Sequence, residues 1–195
     1  MLKCLLAVVI LLSACSSSGE GSSDDGPETS DQTQAADESA TADPIPPSPT
    51  AVEFEQPQLT GDAVAAELVH VIDGDTIDVI IGGVEERIRY PAVNSPERGA
   101  CLENEATAAN ANFLSGKTVL LERDPEGTDR DRYGRLLRYV WADGALVDFH
   151  LVSLGLAEVQ TQYPQKKYIE PLLAVQSAAR SAGVGVWGVC GGVFE

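Results

Sequence analysis

The sequence predicts an α+β domain made of five short β-strands and three α-helices. Three observations predict this class. Short apolar runs, separated by glycine-containing turns, begin at about residue 64. A helical pattern that ends at a glycine separates the third run from the fourth. Two further helical patterns with apolar faces follow the last run. Five short strands are compatible with a small closed barrel, although propensity alone does not separate a barrel from a sandwich.

The first three strands are predicted from apolar runs and from the turns between them. The first run ends at Ile72 and is followed by a turn at Asp73-Gly74. The second covers residues 76–81, and Gly82-Gly83 then suits a two-residue hairpin turn that requires positive φ. The third strand is expected over residues 84–93.

The second half of the domain contains the remaining predicted elements. "NEATAANANFLSG", residues 104–116, predicts a helix, and "KTVLLER" predicts a fourth strand. "GRLLRYVWADGALV" predicts a hairpin around Asp143-Gly144 that leads into a helix over "DFHLVSLGLAEV". The last helix is expected at about residues 171–182.

The first 60 residues are not expected to belong to the folded domain. Residues 1–15 have the short apolar run of a secretory signal, and Leu12-Ser13-Ala14-Cys15 resembles a bacterial lipobox. We therefore expect a lipid anchor at Cys15 and a membrane-anchored, extracytoplasmic protein; the alternative is a plain secretory signal with a chance cysteine. Residues 16–60 are rich in Ser, Asp and Pro and predict a disordered acidic tether. Residues 61–195 then form the domain.

The charge of the chain does not favour tight binding of nucleic acid. The net charge is −17, and residues 56–195 contain 20 acidic and 12 basic side chains. Any contact with phosphates must therefore depend on a local basic cluster, because the overall field repels them. The candidate is the group Arg130, Arg132, Arg135 and Arg138.

Two cysteines lie within the predicted domain, Cys101 and Cys190. An even number of cysteines in an exported chain favours a disulfide, and two free thiols are the alternative.

Three separated motifs carry the functional signal: "VIDGDT" at 71–76, "RYPAVNSPE" at 89–97 and "DRYGR" at 131–135. In this order and spacing the chain resembles the staphylococcal nuclease, or thermonuclease, family over roughly residues 65–188. The resemblance implies an oligonucleotide-binding (OB) barrel of five strands with three helices. It also implies calcium-dependent hydrolysis of phosphodiester bonds in DNA and RNA.

The same resemblance implies roles for individual residues. Asp75 matches a metal-binding aspartate, Asn94 stands where a second one is usual, and Ser95 would face the metal through its carbonyl oxygen. Glu97 matches the carboxylate that positions the attacking water. Arg89 and Arg135 match two phosphate-binding arginines, and planar guanidinium groups suit that role. The residues that match nucleotide contacts are Arg132, Tyr133 and Tyr163. The first tyrosine of a Tyr-x-Tyr pair is replaced here by Thr161.

Asn94 leaves two functional hypotheses open. Its amide oxygen can still bind Ca²⁺, but the site loses one negative charge, so we expect one weakly bound ion. The first hypothesis is a monomeric, calcium-dependent nuclease that acts on DNA or RNA. The second is a non-catalytic OB-fold module that binds single-stranded nucleic acid or another ligand.

Overall fold

Nine short β-strands and four α-helices make up residues 54–194, the part of the chain that this computed structural model describes. The strands are β1 (Ala63–Val71), β2 (Thr76–Ile81), β3 (Val84–Arg89), β4 (Val93–Asn94), β5 (Val119–Glu122), β6 (Leu136–Leu137), β7 (Tyr139–Ala142), β8 (Ala145–Leu146) and β9 (Glu158–Val159). The helices are α1 (Glu103–Leu114), α2 (Val147–Ser153), α3 (Ile169–Ser181) and α4 (Val186–Val189). The predicted signal segment, Cys15 and residues 16–53 of the predicted tether lie outside the described residues.

The main sheet has seven strands in the order β6-β3-β2-β1-β5-β7-β8. All neighbours are antiparallel except β3 and β6, which are parallel. The first half of β1 pairs with β5 and the second half with β2, with an irregularity between Leu68 and His70. Such a bulge increases the local bend of a strand, so β1 can serve both halves of the sheet. Within residues 54–194 we find no strand pairing that closes this sheet into a barrel.

The two predicted hairpin turns are confirmed. Gly82 and Gly83 have φ values of 57° and 86°, and Asp143 and Gly144 have values of 51° and 78°. Positive φ at both central residues gives the type of turn whose twist matches that of the flanking strands.

The α+β class is confirmed, and four details differ from the prediction. The helix expected over residues 148–159 ends at Ser153, because Gly155 adopts a φ of 63°, and Glu158–Val159 form strand β9 instead. The third strand ends at Arg89 rather than at residue 93, because Pro91 cannot donate a backbone hydrogen bond to a neighbouring strand. Five predicted strands become nine short segments, with β4 and β9 forming a separate two-stranded sheet. A fourth helix, α4, has only four residues and is too short to produce a periodic pattern.

The core lies between the sheet and helices α1 to α3. The sheet contributes Ile77, Val79, Ile88 and Trp141, and the helices contribute residues such as Leu151, which is fully buried. Burying one such side chain contributes about 1.5–3 kcal/mol. No helix in residues 54–194 is long and apolar enough to span a membrane.

The predicted disulfide between Cys101 and Cys190 is present, with a Cα–Cα distance of 6.0 Å. It joins the segment before α1 to the residue that follows α4. The sequence separation of the two cysteines is 89 residues. Closing a loop of this length restricts the unfolded chain and stabilises the fold by roughly 4–5 kcal/mol.

Candidate active site

A tight turn between β1 and β2 directs Asp75 towards the segment that follows β3. The Asp73 carboxylate accepts the backbone N–H of Asp75 at 3.0 Å, which is the local hydrogen bond typical of Asx turns. Gly74 packs directly against Ser95, and a Cβ atom on Gly74 would lie 2.5 Å from the Ser95 Cβ. Only glycine therefore allows this close approach between the two segments.

The Asp75 carboxylate is buried and has three hydrogen-bonding or ionic partners. Its Oδ2 atom accepts the Ser95 backbone N–H at 2.7 Å and lies 2.8 Å from Nη1 of Arg89. Its Oδ1 atom accepts the Thr76 hydroxyl at 3.1 Å. Burial raises the pKa of Asp75 to about 6 although Arg89 opposes the shift, so the carboxylate is ionised at neutral pH.

Arg89 lies at the end of β3 and holds the next five residues in a curled conformation. Its Nη1 atom donates to the carbonyl oxygens of Tyr90 at 3.0 Å and Val93 at 2.9 Å. Its Nη2 atom donates to Oδ1 of Asn94 at 3.0 Å. The Arg89 guanidinium therefore contacts both the Asp75 carboxylate and the Asn94 amide oxygen and holds them on the same side of the cleft.

Glu97 is exposed and lies at the edge of the same cleft as Asp75 and Arg89. It follows Ser95 and Pro96, which are both buried and fix the start of the turn. The Glu97 carbonyl accepts the Ala100 N–H at 2.8 Å. The side chain is thus carried by a backbone that is hydrogen-bonded while the carboxylate faces solvent.

The loop before β6 forms the opposite side of the cleft around Asp131. The Asp131 carboxylate accepts the backbone N–H groups of Tyr133 at 2.9 Å and Arg135 at 3.0 Å, and Nε of Arg135 at 2.6 Å. Burial raises the pKa of Asp131, but these hydrogen bonds outweigh it and hold the pKa below its usual value. Asp131 therefore stays charged and orients Arg135, as expected for an ion pair within the loop.

Aromatic groups flank this cleft on two sides. Tyr133 is 67% exposed, and the guanidinium of Arg132 lies 4.7 Å from the centre of its ring. Tyr163 is 52% exposed and approaches from the segment between β9 and α3. Exposed rings beside cations can stack on bases of a single strand.

The cleft has a volume of about 600 Å³ and collects most of the predicted site. Eight of the nine predicted catalytic, metal-binding and nucleotide-binding residues line it: Asp75, Arg89, Asn94, Glu97, Arg132, Tyr133, Arg135 and Tyr163. Ser95 lies behind the cleft, buried, with its N–H on Asp75. Cys101 and Cys190 form the disulfide instead of contributing to the cleft.

The oxygen atoms at the floor of the cleft suit a hard cation. Asp75 and Asn94 supply a carboxylate and an amide oxygen joined through Arg89, and Glu97 adds a second carboxylate at the edge. Residues 54–194 contain no group of three or more His, Cys, Asp or Glu side chains arranged to hold a metal ion. Carboxylate and amide oxygens are nevertheless the ligand types that hard divalent cations take, and water would have to complete the coordination.

Asp148, at the start of α2, is a buried carboxylate that the sequence motifs do not indicate. Both of its oxygens are buried without a hydrogen-bond partner. Burial raises the pKa of Asp148 to about 7, and Arg89 opposes this shift. In the sequence it resembles an ordinary acidic residue in the first turn of a helix, so only its burial distinguishes it.

Comparison with known proteins shows a relationship over most of the domain that carries the cleft. The family described as "Staphylococcal nuclease homologue" matches residues 87–189. "Endonuclease YncB" of Bacillus subtilis (strain 168) is 36% identical over 135 residues, which cover 66% of this chain and 64% of that protein. "SPbeta prophage-derived endonuclease YokF" of the same organism is 33% identical over 141 residues, covering 69% of this chain and 47% of the relative. "Thermonuclease" of Staphylococcus hyicus is 32% identical over 127 residues, which cover 62% of this chain and 74% of that protein. The chain thus spans less than two thirds of the length of the first two relatives.

Proposed function

Because this chain belongs to the staphylococcal nuclease family, we propose that it hydrolyses phosphodiester bonds of DNA or RNA with the help of a calcium ion. The observation that carries this proposal is the cleft itself. Two carboxylates and an arginine from residues 75–97 face two arginines and a tyrosine from residues 132–135 across it. Hydrolysis of a phosphodiester needs both kinds of group, since water must be oriented and the charge on phosphorus oxygens must be balanced.

Each side chain has a distinct role in this proposal. Glu97, exposed at the cleft edge, orients the attacking water and accepts its proton. Arg135, held by Asp131, donates to the phosphate oxygens on which negative charge increases. Arg89 lines the same cleft and adds a second positive charge.

Asp75 and Asn94 would hold the calcium ion. When bound, the ion polarises the phosphate and offsets its charge. Arg89 contacts both side chains, at 2.8 Å from Asp75 and 3.0 Å from Asn94, so a cation would compete with these contacts. We expect weak affinity as a result, because the family aspartate at this position is replaced by a neutral amide.

The second candidate is a binding module that does not cut its ligand, and the Asn94–Arg89 hydrogen bond favours it. That bond of 3.0 Å gives the amide a structural role without any metal. The exposed rings of Tyr133 and Tyr163 would then stack on bases of a single strand. Glu97 weighs against this candidate, since binding alone has no use for a carboxylate beside the phosphate.

The place of action belongs to the same proposal. We propose a monomeric protein that is anchored through lipid at Cys15 and acts outside the cytoplasm, where calcium is abundant and disulfides persist. The Cys101–Cys190 disulfide supports an oxidising location.

The test is cleavage of single-stranded DNA, duplex DNA and RNA by the purified chain across a calcium titration, with a chelator as the metal-free reference. We expect cleavage that requires calcium and that falls by roughly 10²–10⁴-fold in Glu97→Gln, because a general base is lost. Glu105→Gln, an exposed carboxylate on α1, is the matched control and should leave cleavage unchanged. Binding of single strands without cleavage at any calcium concentration would favour the second candidate instead.

A further inference from the structure

The last described residues fold back against the segment that carries Glu97. Residues 190–194, Cys-Gly-Gly-Val-Phe, follow α4, and we call them the strap. The strap begins at the Cys101–Cys190 disulfide and ends at Phe194, which is 3% exposed. A phenylalanine so deeply buried after two glycines shows that the strap has a defined packing site.

The middle of the strap is held against α4. Gly192 donates its N–H to the Val186 carbonyl at 2.9 Å and has a φ of +80°. A Cβ atom at Gly192 would lie 3.1 Å from the indole ring of Trp187. Both the backbone angle and the close contact therefore require glycine at this position.

The end of the strap connects this packing to the cleft. The Phe194 ring lies edge-on to Trp187, with 5.1 Å between ring centroids. The Phe194 carbonyl accepts the backbone N–H of Glu97 at 3.4 Å, which is long for a hydrogen bond. Four residues after Glu97, the disulfide at Cys101 attaches the same loop to the start of the strap. The Glu97 loop is thus restrained on both sides by one short segment.

Within residues 54–194, the solvent side of this loop has few other contacts. Arg98 and Gly99 are exposed, and Gly99 has a φ of 85°. Its other contacts are local, from Ala100 to the Glu97 carbonyl and from Gly99 to the Glu103 carboxylate at 3.1 Å. Among these hydrogen bonds, the one from the Glu97 N–H to the Phe194 carbonyl is the one that joins the loop to a segment distant in sequence.

We propose that the strap sets the position of the Glu97 carboxylate, with Phe194 acting as a positioning residue and not as a catalytic one. This inference rests on the proposed hydrolysis, in which Glu97 orients water. Displacing a catalytic group by about 1 Å can cost on the order of 10²-fold in rate. Loss of the Phe194 anchor therefore lowers the rate of the chemical step while the binding surface formed by Arg132, Tyr133 and Arg135 stays intact.

The experiment compares Phe194→Ala with Phe194→Leu, and uses Val193→Ala as the control because Val193 is 57% exposed in the same segment. We measure kcat and KM on an oligonucleotide well below the melting temperature of each variant. Phe194→Ala should lower kcat by about 10-fold and leave KM within about twofold of the original. Phe194→Leu keeps an apolar anchor and should restore most of kcat, and Val193→Ala should change neither constant.

A second readout does not depend on activity. The native protein is digested briefly with trypsin, and mass spectrometry measures the rate of cleavage after Arg98. Faster cleavage there reports release of the loop. Cleavage there should be faster in Phe194→Ala than in the unmodified chain and in Val193→Ala. Gly192→Ala, which disturbs the strap against Trp187, should give the same increase.

Several results would overturn the inference. An unchanged kcat in Phe194→Ala would do so, whether or not cleavage after Arg98 increases, because the strap would then not position Glu97. An equal loss of kcat in Val193→Ala would also overturn the inference. A rise in KM with unchanged kcat in Phe194→Ala would overturn it as well. If the unmodified chain cleaves no nucleic acid, the proposed function fails, and unchanged trypsin cleavage after Arg98 would then reject the restraint itself.

Discussion

Asn94 presents a neutral amide oxygen to the Arg89 guanidinium 3.0 Å away, beside the carboxylate of Asp75. Restoring a carboxylate with Asn94→Asp adds a negative charge to the donor set that we propose for calcium. The affinity for Ca²⁺ depends on the number of charged ligands, so we expect the dissociation constant to fall by about 10-fold. Isothermal titration calorimetry and the calcium midpoint of cleavage both measure this change.

The matched control for this prediction is Asn104→Asp, which adds the same charge at an exposed position on α1. It should leave the calcium midpoint where it is. Equal calcium affinity in Asn94→Asp and the unmodified chain would contradict the assignment of residue 94 to the cation site.

Asp148 predicts a pH-dependent loss of stability. Its pKa in the folded protein is raised by burial to about 7, above the ordinary value of 3.8 that applies to the unfolded chain. The folded state therefore prefers the neutral acid. The resulting contribution to the free energy of unfolding is fully present below about pH 4 and is lost as the pH rises towards 7. Replacing Asp148 with Asn removes the ionisation and keeps nearly the same shape.

We expect Asp148→Asn to raise the free energy of unfolding by up to about 4 kcal/mol at pH 8, and to change it little at pH 4. Urea unfolding at the two pH values measures the difference. Asp143→Asn is the control, because Asp143 is exposed in the β7–β8 turn. An equal stabilisation at both pH values would show that ionisation of Asp148 is not the cause.

At the scale of elements, Glu122 joins four separate parts of the fold. Its carboxylate is fully buried at the end of β5. It accepts hydrogen bonds from the Gly61 N–H at 2.9 Å, the Trp141 indole at 3.0 Å and the Tyr168 hydroxyl at 2.8 Å, and it pairs with Lys167. Residues before β1, strand β7 and the start of α3 are therefore fixed to β5 by one side chain.

Removing this carboxylate takes the acceptor from two buried donors, the Trp141 indole and the Tyr168 hydroxyl, and the partner from Lys167. We expect Glu122→Ala to lower the free energy of unfolding by roughly 3–5 kcal/mol, the cost of breaking a buried ion pair. Chemical denaturation measures it. Glu126→Ala, at an exposed position four residues further on, should change stability by less than about 0.5 kcal/mol. A small effect of Glu122→Ala would mean that water or rearranged side chains replace its contacts.

The same elements show which parts of the fold could be predicted. Strand β2 and its hairpin were predictable because the apolar run is closed by Gly82-Gly83, a signal contained within a few residues. The break after β3 was missed because alternation continued past Pro91. The strap was missed because its contact with Glu97 joins residues distant in sequence, and a Gly-Gly-Val-Phe segment has no period.

The cleft was predictable as a set of residues and not as a set of contacts. The three motifs indicated Asp75, Arg89, Glu97 and Arg135, and all four line one cleft. The pairing of Arg89 with Asn94 depends on how the backbone curls after β3, which residue types alone do not specify. Asp148 was missed for a related reason, since burial is a property of the packed helix and not of the local sequence.

At the scale of the whole molecule, the balance of charge predicts a weak dependence of substrate binding on salt. Residues 56–195 have a formal charge of −8, since 20 acidic side chains outnumber 12 basic ones. Two arginines close to the motif loop are already paired: Arg130, which lines the cleft, with Glu86 at 2.8 Å, and Arg138, outside the cleft lining, with Asp129 at 2.8 Å. Attraction for phosphates is therefore limited to the cleft, where Arg135 is itself shared with Asp131.

We expect a single-stranded oligonucleotide to displace only one or two counterions on binding. The dissociation constant, measured in Glu97→Gln so that the substrate survives, should then rise by about 3- to 7-fold between 50 and 200 mM salt. Arg132→Ala removes one cleft cation and should flatten this slope, whereas Arg123→Ala, at an exposed position outside the cleft lining, should not. A rise of more than about 50-fold would require four or more phosphate contacts. The cleft lining contains four arginines, and Arg89, Arg130 and Arg135 are already paired with carboxylates. Such a slope would therefore contradict the expectation of only one or two phosphate contacts.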